Sequence, residues 1–141
     1  MAENIIIDTS VLVSALIGKE GPSREVLRQC LMGRYNPLIS NTLFAEYEDV
    51  TTREKTLELR PLEPQEIRDL LNALYSVCHW VPIYYLWRPN LKDEDDNFLI
   101  ELAVAGNGKY VVTNNTRDIN SAELSFKDLK IVTPEAFLRG N

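Results

Sequence analysis

The sequence predicts an α/β fold of three layers, α/β/α, with a central parallel sheet of about five strands. Two patterns carry that reading. Short runs rich in β-branched residues, such as Ile5 to Ile7 and Tyr110 to Thr113, are apolar at successive positions, as strands covered on both faces must be. Between them lie longer stretches whose apolar residues recur every three or four positions, so strands alternate with helices as they do in parallel sheets.

Each element follows from local signals. Ile5 to Ile7 form the first strand, Asp8, Thr9 and Ser10 a capped turn, and Val11, Leu12, Val13, Ala15 and Leu16 a helix. Gly18 to Pro22 is a loop. Ser23 is placed to cap a second helix carrying Val26, Leu27, Cys30 and Leu31 on one face, with Gly33 as its stop. Pro37 to Ser40 is a short strand, and Asn41 or Thr42 caps a helix bearing Leu43, Phe44, Tyr47 and Val50. Thr51 to Pro61 is charged and without period, which marks a connection. After Pro64, Ile67, Leu70, Leu71, Leu74 and Cys78 keep helical spacing, and Trp80 to Tyr84 reads as a strand. The acidic run Asp93 to Asp96 opens a helix with Phe98, Leu99, Leu102 and Ala103, which Gly106 and Gly108 end. Tyr110 to Thr113 and Lys130 to Thr133 are the last two strands, and Pro134 starts the closing helix.

A chain of 141 residues can bury one real core but not two ordinary ones, so residues 1–141 are expected to form a single domain. No stretch approaches the ~20 apolar residues of a membrane span. The Ile5 to Ile7 run is cut by Asp8 and has no basic segment ahead of it, so no signal peptide is expected and the expected location is cytoplasmic. Cys30 and Cys78 lack CxxC spacing and are expected to be buried free thiols. The net charge of −6 argues against a broad basic surface that coats nucleic acid, whereas a pocket lined with carboxylates would produce the same deficit.

Where the acids fall decides between these. In an open parallel sheet, ligands bind beyond the carboxyl ends of the strands. Asp8 directly follows the first strand, while Asn114, Asn115 and Asp118 follow the strand ending at Thr113. Glu46 sits in the first turns of the helix after the second strand, and Asp93, Glu94, Asp95 and Asp96 crowd another helix start. Alone, each has an ordinary use: Asp8 as a helix cap, Glu46 as a solvated helix residue, the acidic run as a dipole-stabilised helix start, and Asp118 as a turn residue. Together they make a set of carboxylates that repel one another unless a divalent cation lies among them. Mg2+ suits such a set, and phosphodiester hydrolysis is the chemistry it serves best.

Other catalytic classes fit poorly. The sole histidine, His79, has no G-x-S-x-G turn to serve, and neither a phosphate-binding G-x-x-x-x-G-K-[ST] loop nor a G-x-G-x-x-G fingerprint occurs. A phosphoacceptor receiver domain would need an acidic pair after the first strand and a lysine after the last. Asp8 stands alone, and Lys130 precedes the final strand.

Taken in order, IIIDTSVLVSALI, PLISNTLFAEYEDV, DEDDNFLIELAVAGNGKYVVTNNTRDI and IVTPEAFL resemble the successive signature segments of the PIN-domain family, and within it the toxin components related to VapC-type ribonucleases. The resemblance spans nearly the whole chain. It implies a metal-dependent ribonuclease whose acidic core is Asp8, Glu46 and Asp96, binding Mg2+ or Mn2+. Asp93 is the alternative to Asp96, and a slip of one residue would promote Asp95. Ser10 takes the place of the group that orients the first aspartate or holds a metal-bound water, and Thr113 that of the polar residue ending the fourth strand. The commoner family pattern has a further aspartate two residues after that threonine. Here it is Asn115, which supplies no charge and weakens a second metal position; Asp118 is placed to compensate or to brace the loop.

The resemblance also implies RNA as substrate, an antitoxin protein as partner and a homodimer. The rival reading is a catalytically silent module of the same fold that acts by binding a protein. Tyr84, Tyr85 and Trp87 are candidates for an interface or for packing, and Arg53, Lys55, Arg60 and Arg88 for an RNA path or plain solvated surface.

Overall fold

The computed structural model describes residues 2–18, 21–53, 62–83, 97–116 and 128–140. Ile5, Ile6 and Ile7 are shut off from solvent, and an apolar run with no exposed face can sit only in the middle of a sheet. It does: the strands β1 (Glu3–Ile7), β2 (Tyr35–Ile39), β3 (His79–Trp80), β4 (Tyr110–Val112) and β5 (Lys130–Val132) lie in the order β3-β2-β1-β4-β5. Every pairing is parallel, with Ile5 opposite both Pro37 and Tyr110. The helices among the described residues are α1 (Thr9–Ile17), α2 (Pro22–Leu31), α3 (Asn41–Thr52), α4 (Pro64–Val77), α5 (Asn97–Gly106) and α6 (Pro134–Gly140). α5 packs across β1, β2 and β4, while α2 packs on β2, α1, α4 and α6, so the expected three-layer α/β/α arrangement is the one found.

From β1 the chain winds outward through β2 to β3, then crosses back to β4 on the other side of β1. The winding direction therefore reverses between β1 and β4. At such a switch point the flanking connections leave in opposite directions and open a crevice at the carboxyl ends of the two strands.

Several expected boundaries move, each for a local reason. The second helix begins at Pro22 rather than being capped by Ser23: Gly21 takes φ 139 ahead of it, proline's fixed φ suits the first helical position, and Ser23 is buried inside the helix. The cap of α3 is Ser40, whose hydroxyl accepts from the Leu43 N–H, and not Asn41 or Thr42. The strand expected over Trp80 to Tyr84 is His79–Trp80, since the parallel partner β2 ends at Ile39; Tyr84 lies outside the described residues. His79 is therefore an exposed edge-strand residue. The left-handed residue ending α5 is Asn107, at φ 56, an amide side chain tolerating what most residues do not. Gly106 lies against the sheet instead, where a Cβ would stand 2.8 Å from Leu38 Cδ1 and the leucine side chain would have to shift.

Cys30 is buried, but Cys78 is only half-buried, at the end of α4. Both are free, and burial pushes each thiol up to about 12, which keeps them protonated and unreactive.

Helix α3 is tied to the centre of the sheet by Tyr47. Its hydroxyl donates to the Ile7 carbonyl at the very end of β1, and burial holds the phenol well above its ordinary range, so it remains a donor. Tyr47→Phe should cost about 1–3 kcal/mol, because it takes this donor from a buried carbonyl. That loss is readable as a fall of a few degrees in melting temperature by calorimetry.

Candidate active site at the switch point of the sheet

Asp8 follows β1 and precedes α1, where an aspartate ordinarily caps the helix with its side chain. Here it does not: the carboxylate makes no cap hydrogen bond. It turns instead into the crevice between β1 and β4, with 4% of its surface exposed. Oδ2 accepts from Thr113 Oγ1 at 2.6 Å and from Ser10 Oγ at 2.9 Å, and Oδ1 accepts a longer contact of 3.3 Å from Thr9 Oγ1. The 2.6 Å bond lies at the short end of the hydroxyl-to-oxygen range.

These hydroxyls are themselves held. Thr113 is fully buried just after β4, its N–H extends the ladder to the Val132 carbonyl, and its Oγ1 accepts from the Asn115 N–H at 3.0 Å. Ser10 Oγ accepts from the Asn114 N–H at 3.1 Å. The Asn114 amide donates to the Ser10 carbonyl at 3.2 Å and to Ser14 Oγ at 3.1 Å, bracing the first turns of α1 against the loop after β4. Each of these two hydroxyls thus donates to Asp8 and accepts from a backbone N–H of the loop after β4, across the crevice for Ser10 and within its own loop for Thr113, which fixes rotor and carboxylate together.

The side chains of Asp8, Ser10 and Thr113 are brought together at this point, and Asn115 joins them through its backbone N–H. Glu46 is half-buried on α3, next in sequence to the Tyr47 anchor, and α3 packs against α1. Among the described residues, neither Asp8 nor Glu46 forms an ion pair with a lysine or arginine. Nor do three or more histidine, cysteine, aspartate or glutamate side chains among them gather as a metal cluster. Asp93, Asp95, Asp96 and Asp118 lie outside the described residues, as do Tyr84, Tyr85, Trp87, Lys55, Arg60 and Arg88. Arg53 pairs with Asp49 at the exposed end of α3. The donor set that is described, a buried carboxylate with hydroxyl neighbours that orient it and no cationic partner, fits a hard divalent cation.

Sequence reasoning placed Asn114 after the strand without a role and did not single out Thr9 or Tyr47. An Asx residue directly after a buried strand was the available signal for Asn114, since such side chains bond to nearby backbone.

A parallel α/β domain whose winding reverses beside a buried, hydroxyl-braced aspartate belongs to the class that places acidic chemistry at the carboxyl edge of the sheet. A family model of the PIN domain matches residues 4–117, and the chain belongs to that family. Among solved structures it is similar to a chain of VapBC2 from Rickettsia felis, bound to a DNA fragment from their promoter. The identity is 15%, with 91% of this chain and 96% of that chain covered and a TM-score of 0.59, so the likeness is one of fold. No curated protein matches the chain. Among the described residues, no helix is long and apolar enough to cross a membrane.

Proposed function

We propose that the chain is a Mg2+- or Mn2+-dependent endoribonuclease and the toxin half of a toxin–antitoxin pair. The observation that carries this reading is Asp8, a carboxylate buried at the switch point with hydroxyls around it and, among the described residues, no cationic side chain paired to it. Membership of the PIN family supports nuclease chemistry, and the fold shared with a VapBC2 chain supports an antitoxin partner.

In this reading Asp8 and Asp96 hold the ion, with Asp93 or Asp95 as the alternative to Asp96, and Glu46 either joins them or orients a water. A divalent ion there supplies a bound water of lowered pKa and neutralises charge on the phosphoryl oxygens. Ser10 and Thr113 hold the Asp8 carboxylate in a fixed orientation, so little reorganisation is needed when substrate arrives. Asn115 contributes a neutral amide where a carboxylate would strengthen a second ion, which favours a single tightly held metal. RNA is the proposed substrate, and two copies of the chain the proposed assembly.

Calorimetric titration with Mn2+, run beside a cleavage assay on single-stranded RNA, tests the proposal. Wild type should bind the ion and cut, and Asp96→Asn should lose both. If the purified protein at high concentration cuts no RNA in Mn2+ yet binds a protein partner tightly, the chain is a binding module. Asn115 in place of a carboxylate is the feature that favours this second reading.

A further inference from the structure

The carboxyl edge that carries Asp8 continues past β2 to a cavity of about 330 Å3 at the ends of β2 and β3, within the size range of small-molecule sites. Its walls include Asn41 and Thr42 from the start of α3, Trp80, and Phe98 and Glu101 of α5. The Val81 N–H bonds to the Ile39 carbonyl where the two strands stop, so the floor is regular backbone beside the central strand's neighbour.

We propose that this cavity receives one base of a single-stranded RNA, stacked on Trp80, while the adjoining backbone lies toward Asp8. That the polymer is RNA rests on the nuclease reading above; that the pocket takes a base rests on its own chemistry. Trp80 is 49% exposed, a large apolar surface left at the mouth of a cavity. It is also held in place: its ring lies 5.4 Å from that of Phe44, which is in turn 5.0 Å from Tyr75. A backed indole with an open side is what base stacking requires. Glu101, only 7% exposed, places a carboxylate on the wall. A carboxylate repels phosphate but accepts from the N–H groups of a base, and Asn41 and Thr42 add side chains that can bond a base edge. Charge gives a further reason. With 15 lysines and arginines against 21 acids, little attraction for a polyanion is available over the whole chain, and stacking is the contribution that does not depend on net charge.

The test uses a Trp87→Phe background, so that Trp80 is the sole indole, in EDTA, so that metal plays no part. Titration with a short single-stranded oligoadenylate should quench the fluorescence to saturation, and inorganic phosphate should not compete. Trp80→Ala should weaken binding of a labelled oligonucleotide by about tenfold, the scale of one stacked base, and Trp80→Phe should restore most of it. In the cleavage assay Trp80→Ala should raise KM and leave the Mn2+ affinity unchanged. Oligonucleotide binding and KM unaltered by Trp80→Ala would overturn the proposal and leave the nuclease reading standing. Trp80-dependent binding without any cleavage would do the reverse. A change in sedimentation coefficient on Trp80→Ala, with RNA affinity intact, would assign the indole to a protein interface and also overturn it.

Discussion

Asp8→Asn is expected to lower metal-dependent RNA cleavage by about 10²–10³-fold, the scale on which loss of one preorganised electrostatic contact acts, while leaving the protein folded. The two halves of that result have separate causes. Asparagine has nearly the same shape, and its carbonyl oxygen can still accept from Ser10 or Thr113, whose hydroxyls can also turn to accept from the new amide. The hydrogen-bonded bridge between β1 and the loop after β4 therefore persists in outline, and the core strands around it do not change. What disappears is the negative charge, and with it the attraction for a divalent cation. Cleavage of a labelled RNA in Mn2+ reads the first half and differential scanning calorimetry the second. A variant that melts normally and still cuts at the wild-type rate would remove Asp8 from the reaction and end the proposed mechanism.

The fold was legible because its strongest signals are local. Ile5 to Ile7 identify a doubly covered strand without reference to anything else, and the helical periods of α2 and α4 are interrupted only at their ends. Boundaries were less legible because competing caps stand side by side. Ser23 and Pro22 compete for the start of α2, Ser40 and Asn41 for that of α3, and only the tertiary position of each backbone decides. The strand of His79 and Trp80 shows the same limit from another side: its length is set by where β2 ends, a fact absent from its own residues. The site divides likewise. Asp8 and Thr113 could be located from their positions after apolar runs, but the meeting of their side chains depends on β1 and β4 being neighbours, although 105 residues separate them. Trp80 reads as a strand residue in the sequence; only the packing of Phe44 behind it and the cavity beside it give it another use.

Thr113→Val separates the support of the carboxylate from the carboxylate itself. Valine fills the volume of a fully buried threonine, so packing is kept while two hydrogen bonds vanish, the donation to Asp8 Oδ2 and the acceptance from the Asn115 N–H. Removing one partner of a buried polar group costs about 1–3 kcal/mol, and more when that group is charged. The melting temperature should fall by about 2–4 °C for each kcal/mol lost in a chain of this size. With its shortest hydrogen bond gone, the Asp8 carboxylate is oriented by Ser10 alone on that oxygen, and Mn2+ affinity should drop by about 10–100-fold, as it does when such outer partners of metal ligands are removed. Thr113→Ser keeps the hydroxyl and should recover most of the affinity while losing one buried methyl. A valine variant that is less stable but binds Mn2+ as tightly as wild type would make the hydroxyl a purely structural tie between β4 and β1. The double variant provides the sharper reading: with Asp8→Asn already present, Thr113→Val should cost less than it does alone, because the charged acceptor it would strand is no longer there.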